Sequence, residues 1–197
     1  MNPKEIDTLT SLLNIDSLVQ GWMFRDLAQW DKLRTLFHSD GTIEVTWFEG
    51  KFSDFVDASE KMSASDLRAK HMIGSPVIEI VNDRAIAETN GILACENVKL
   101  NLGCNMHIRF FDLLERREGV WKILKRYCLY DMGTLTFPFG IVEIDLAYTE
   151  QFPREYAALG YLLGKSGFPV WRIFPTRGSD QEKTIKADAR LWLLCKA

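Results

Sequence analysis

No stretch of this 197-residue chain approaches the roughly 20 consecutive apolar residues that a membrane-crossing helix requires. Its opening, MNPKEIDTLTSLLNIDSL, carries acidic residues and lacks the apolar core and small-residue cleavage site of a secretory leader. No membrane partner is expected, and the expected compartment is the cytoplasm. A basic run is missing as well. The 24 Lys and Arg stand against 27 Asp and Glu and are scattered, which leaves a net charge of -3 and no electrostatic footprint for nucleic acid. Cysteine is scarce, and Cys95, Cys104, Cys128 and Cys195 show no C-x-x-C spacing, so neither a zinc knuckle nor a redox motif can be read. Free thiols are expected, with Cys128 in LKRYCLYDM acting as a small hydrophobe in a strand. The three histidines are too scattered for a local metal motif, and G-x-G-x-x-G, Walker-type, H-E-x-x-H and G-x-S-x-G patterns are missing. A site with no metal and no cofactor is the simplest expectation.

What is present suits one well-cored domain with an appendage: 47% apolar and 26% charged residues, with six Trp and twelve Phe. From Ile6 to Phe37, apolar residues recur at three and four (Leu9, Leu12, Leu13, Ile15, Leu18, Val19, Trp22, Met23, Leu33, Leu36, Phe37), which predicts helices. Breaks are expected near Asn14–Asp16 and Gln29–Asp31, with Asp16 and Asp31 as N-caps, and Asp40-Gly41 in HSDGT reads as a turn. TIEVTWFEG alternates like a strand, and KFSDFVDASEKMSASDLRAK returns to helical spacing with Ser53 as its cap. Four strand-like runs follow, PVIEIV, RAIAETNGILACENV, CNMHIRFFDLLERR and VWKILKRYCLYDM, joined by the short connections NDR, KLNLG and REG. Helices followed by a meander of long antiparallel strands is an α+β arrangement.

Beyond Met132, Gly and Pro punctuate the chain. A helix begun at Pro153 and stopped at Gly167 and a terminal helix over QEKTIKADARLWLLCKA are expected. Residues 133–197 thus read as an extension packed on a domain of residues 1–132, because Tyr156, Leu159, Leu162, Leu163, Leu191, Trp192 and Leu194 need a surface to cover.

His71 precedes an apolar run in AKHMIGSPVIEI, and Trp22, Asp26 and Trp30 fall at i, i+4 and i+8, placing an acid between two indoles. An Asp on an apolar stripe costs several kcal/mol unless it is paired. A general base in turn needs a carboxylate to fix its tautomer, so Asp26 and His71 suit each other. The alternatives are a structural imidazole at His71 and a solvated helix-end charge at Asp26. His38 reads as a cation at a helix end, and the face of His107 stays open.

FRDLAQWDKLRTLFHSDGTIEV, KHMIGSPVIEIVNDRAIAET and REGVWKILKR together resemble the blocks of SnoaL-like proteins in the nuclear-transport-factor-2-like superfamily, over about residues 6–132. FPREYAALGYLLGKSGFPV resembles an extension of longer members. The resemblance implies a cone: a strongly curved antiparallel sheet on N-terminal helices, with a C-terminal helical extension, pairing into a homodimer through its sheet. It also implies catalytic roles for Asp26 and His71, since scytalone dehydratase and hexachlorocyclohexane dehydrochlorinase use an Asp and a His at these positions in cofactor-free lyase chemistry. Trp47 stands where scytalone dehydratase has a substrate-polarising Tyr, Cys95 where it has a second His, and Ile108 and Phe110 replace its polar pocket pair. These departures point to a more apolar substrate. The expectation is a cofactor-independent dehydratase, other lyase, isomerase or cyclase. Its substrate would be a small, mostly apolar cyclic molecule such as a polyketide- or terpenoid-like compound. Trp22, Trp47, Cys95, Phe110 and Tyr127 are the expected substrate-binding walls. A non-catalytic ligand-binding or assembly module of the same fold is the alternative.

Overall fold

The computed structural model describes residues 2–195, so the last two residues of the terminal-helix segment lie outside the description. Asn2 starts helix α1 (Pro3–Gln20) by a capping box: its side chain accepts the Glu5 N–H at 3.0 Å while Glu5 accepts the Asn2 N–H at 2.9 Å. The expected break at Asn14–Asp16 does not occur and Asp16 caps nothing. Ser11, Ile15 and Val19 form one buried stripe through that region, and a polar residue beside such a stripe does not interrupt the helix. Two short helices follow, α2 (Met23–Asp26) and α3 (Trp30–Arg34). The chain breaks between them where Ala28 takes φ 52°, a left-handed conformation that ends α2. Gln29 is the N-cap of α3, which places Asp31 inside its first turn.

Strand β1 (Phe37–Val45) absorbs Asp40-Gly41 as an irregularity in its pairing, so HSDGT is no turn and His38 lies on a strand, its Nε2 donating to the Glu115 carbonyl at 3.0 Å. After β2 (Phe48–Lys51), helix α4 (Phe52–Ser63) begins from Lys51, and Ser53 falls within its first turn. The rest of that helical-looking segment becomes strand β3 (Leu67–Ile73), because its backbone pairs residue for residue with Gly91–Asn97, and tertiary pairing overrides local propensity. Strands β4 (Val77–Val81), β5 (Arg84–Asn97), β6 (Leu102–Arg117) and β7 (Val120–Thr136) follow the expected runs and turns. The sheet order is β2-β1-β7-β6-β5-β3, with β4 also on β5. One pairing, β1 with β7, is parallel and the others are antiparallel, so the curled sheet is mixed.

Two bulges in β7 decide which side chains face inward. Leu114 pairs with Ile123 and Leu113 with Lys125, leaving Leu124 as an extra residue that inverts the alternation. Trp121 and Ile123 face the core before it, and Arg126, Cys128 and Tyr130 after it. A second extra residue, Asp131, lies between the pairs His107–Met132 and Ile108–Tyr130.

Helices α5 (Leu146–Thr149) and α6 (Ala157–Lys165) pack at the inner side; the expected start at Pro153 is instead a turn, closed by the Tyr156 N–H on the Pro153 carbonyl at 3.1 Å. Leu159, Leu162 and Leu163 of α6 are buried, each side chain contributing about 1.5–3 kcal/mol to its docking. Helix α7 (Asp180–Leu194), capped by Ser179, lies on the outer face, where Ile185, Ala189 and Trp192 cover Phe111, Leu113, Tyr127 and Leu129. Leu191 and Leu194 stay exposed on its far side. Among the described residues no helix is long and apolar enough to cross a membrane.

Candidate functional site

Position 71 belongs to the inner face of β3 because burial alternates along the strand, with Leu67, Ala69, His71 and Ile73 on one side. Register carries that face onward: His71 stands opposite Leu93, Ala69 opposite Cys95, and Gly91 of β5 opposite Ile108 of β6. Against this wall the end of α2 brings Asp26, 45 residues earlier in the chain. Asp26 grips His71 twice. Its Oδ2 accepts the His71 backbone N–H at 2.6 Å and its Oδ1 accepts Nδ1–H at 2.7 Å. The two side chains are 7% and 1% exposed for His71 and Asp26 respectively, so the pair is shielded from screening by water.

Burial pushes the Asp26 carboxyl up, yet the hydrogen bonds and charge of His71, helped by the nearby Arg25, hold it below the ordinary carboxylate range. Burial also lowers His71; the Asp26 hydrogen bond opposes it, and Arg25 and Arg126 add to the lowering. Both directions describe one state, an aspartate beside a neutral imidazole. With Nδ1–H given to the carboxylate, the lone pair resides on Nε2, the arrangement of a general base.

The dyad borders a cavity of about 200 Å³. Trp22, Trp47, Cys95 and Phe110 all line it, and so does Trp30, although the break at Ala28 means that no continuous helical face carries it there. Trp22 meets the His71 ring edge-on at 5.8 Å and Phe110 at 5.1 Å. Cys95 is no nucleophile in this state, since burial pushes its thiol up to about 11. Tyr127 does not line the cavity. The extra residue at Leu124 turns it to the outer face, where it packs under α7 beneath the Lys125 ammonium, 4.5 Å from its ring. His107, with the opposite parity to Ile108, is exposed on the outer face as well.

Several lining residues had escaped the sequence reading. Leu159 and Leu163, one turn apart on α6, close a wall of the cavity, so the C-terminal segment helps to build it. Tyr130 lines it too, but its hydroxyl is occupied, accepting the Thr46 N–H at 2.9 Å and donating to Thr46 Oγ1 at 3.3 Å. Arg25, adjacent to Asp26, projects into it. Behind Trp22, Arg126 and Asp112 form a fully buried bidentate pair with both contacts at 2.7 Å, and the guanidinium sits 4.8 Å from the Trp22 ring and 4.2 Å from Phe110. That pair braces the floor on which the dyad rests. Alternation could have flagged Arg126 and Tyr130 only with the bulge known. Among the described residues no three His, Cys, Asp or Glu side chains converge as metal ligands.

Comparison with known proteins agrees with this geometry at the level of the fold. A family model described as a SnoaL-like domain matches residues 7–127. Among solved structures, a type 2 hexachlorocyclohexane dehydrochlorinase superposes with a TM-score of 0.63 at 18% identity, covering 71% of this chain and 97% of its own. A putative scytalone dehydratase from Novosphingobium aromaticivorans gives 0.59 at 18% identity, covering 71% and 99%. A protein of unknown function from Mycobacterium tuberculosis gives 0.59 at 16% identity, covering 88% and 98%. No curated protein matches the sequence significantly. Since the family model spans more than half of its length and the cone is the one those structures share, the chain belongs to the SnoaL-like domain family.

Proposed function

We propose that this protein is a cofactor-independent acid–base enzyme, a dehydratase-like lyase or an isomerase or cyclase, acting on a small, mostly apolar cyclic molecule. The observation that carries the reading is the two-point hold of Asp26 on His71 at the wall of an apolar cavity. His71 Nε2 takes a proton from a carbon beside an activating group, and Asp26 stabilises the imidazolium that results. In an elimination the electron pair left on carbon forms the new double bond while the bond to the leaving group breaks, and the imidazolium returns its proton to that group. In an isomerisation the same proton goes back to a different carbon.

The volume, about 200 Å³, supports a substrate of one substituted ring, given that an apolar cavity of roughly 150 Å³ holds benzene. The dehydratase and dehydrochlorinase among the structural neighbours agree with lyase chemistry. Screening hydroxylated or halogenated monocyclic compounds for elimination or isomerisation tests the proposal. His71→Ala is expected to abolish turnover while leaving most ligand binding intact, because the base engages the substrate chiefly in the transition state, and to lower stability because the buried Asp26 carboxylate loses its Nδ1–H partner. Undiminished turnover in that variant would remove the mechanism.

A further inference from the structure

Arg25 lines the cavity and takes no part in proton transfer by the dyad. Its Nε is buried without a hydrogen-bond partner, and the side chain's only hydrogen bond among the described residues is a weak one from Nη2 to Met62 Sδ at 3.7 Å. The guanidinium carbon lies 5.9 Å from the ring centres of both Trp47 and Phe55, against apolar walls of the cavity. The adjacent Asp26 carboxylate attracts it by charge but makes no hydrogen bond with it, its oxygens accepting instead from the His71 backbone N–H and Nδ1–H. Nor does Asp112, which is held bidentately by Arg126. Burial lowers the Arg25 pKa, and the neighbouring Asp26 charge opposes that lowering only in part. Arg68, which also lines the cavity, differs: its Nη1 donates to the Ser65 and Leu67 carbonyls at 2.7 and 2.8 Å.

With Nε unpartnered, the guanidinium keeps donors free beside the cavity, and its planar fork matches an oxyanion such as a carboxylate bidentately. We infer that Arg25 is a carboxylate-binding residue and that the cavity takes a small cyclic acid, held by its carboxylate on Arg25 with its ring against Trp47 and Phe55. A neutral carbonyl would leave the positive charge uncompensated in the bound state, whereas a carboxylate cancels it. The inference deepens the proposal that the cavity is a small-molecule site, and it does not require His71 to be the base.

Calorimetric titration with benzoate and with benzamide, two ligands of nearly equal shape that differ in charge, tests it without any turnover. Benzoate is expected to bind at least tenfold more tightly. Arg25→Met should abolish that preference while changing benzamide affinity no more than about twofold, and Arg25→Lys, which keeps a point charge without the fork, should retain part of it. Equal binding of the two ligands, or a preference that survives Arg25→Met, would each overturn the inference. Toluene bound without benzoate would overturn it too and leave the acid–base proposal standing. If none of the three ligands bound, the cavity would fail as a small-molecule site and both proposals would fall.

Discussion

Replacing Asp26 by Asn is the sharpest test of the dyad, because it keeps shape and removes one acceptor from a residue that uses two. In the parent, Oδ1 and Oδ2 accept from Nδ1–H and from the backbone N–H of His71 at 2.7 and 2.6 Å. An Asn side chain has one acceptor oxygen and one amide donor. Were its oxygen to keep Nδ1–H, its NH2 would face the backbone N–H, leaving a buried donor unpaired at about 1–3 kcal/mol. Were the oxygen to take the backbone N–H, its NH2 would donate to Nδ1, and the imidazole proton would move to Nε2. The second arrangement satisfies every group, so it should dominate, and it removes the lone pair that the base needs. Loss of the carboxylate also leaves the imidazolium unsupported. An Asp→Asn exchange of this kind in a serine-protease triad costs about 10⁴ in rate, or roughly 5.5 kcal/mol of barrier, and a loss of that order in kcat with a smaller change in KM is expected here.

Two readouts check this. Nitrogen NMR of the imidazole should report the Nδ1–H tautomer in the parent and Nε2–H in Asp26→Asn. The pH profile should move as well. Since burial already lowers His71 below its ordinary 6.5, parent kcat/KM should rise with pH through that depressed pKa and be flat above 6.5. Asp26 is among the groups that hold the His71 pKa up, so in the Asn variant the acid limb should lie at still lower pH. A variant that keeps the Nδ1–H tautomer and loses less than tenfold in rate would refute the reasoning.

Two further expectations concern the frame around the site. Asp112→Asn breaks a fully buried bidentate pair and strands the Arg126 charge, so denaturant unfolding should show a loss of about 3–5 kcal/mol; a change below 1 kcal/mol would show that the charge finds water. Ending the chain after Gly178 removes α7 and uncovers Phe111, Leu113 and Leu129, so sedimentation should show self-association of a protein that still folds. A monodisperse, unchanged species would contradict the role given to the helix.

The elements that could be read from the residues are those whose determinants are local. Asn82, Glu118 and Gly119 take positive φ in the short connections NDR and REG, so the hairpins β4–β5 and β6–β7 formed where the turn chemistry placed them. The buried Ser11–Ile15–Val19 stripe made a helix for the same reason, although the exposed Leu9 and Leu13 obscured which face it used. Asp26 and His71 stood out as an acid on an apolar stripe and an imidazole before a strand, each in chemical need of the other across 45 positions, and the resemblance to a family added the catalytic roles.

Composition, turn residues and alternation, acting between near neighbours, therefore determined the α+β class, the strand runs and the absence of a membrane-spanning run. Tertiary structure alone decided four matters. It converted the end of a helical-looking segment into β3, because β5 offered a complete set of backbone partners there. It paired β1 in parallel with β7, a choice between segments far apart in the chain. It brought Leu159 and Leu163 to the cavity from beyond the sheet and left Arg25 in it with its Nε unpartnered. Finally, it turned Tyr127 outward and Arg126 inward through one extra residue at Leu124. Side-chain direction along a strand is a running parity, so a single bulge reverses every assignment after it, and only the partner strand determines where that bulge falls.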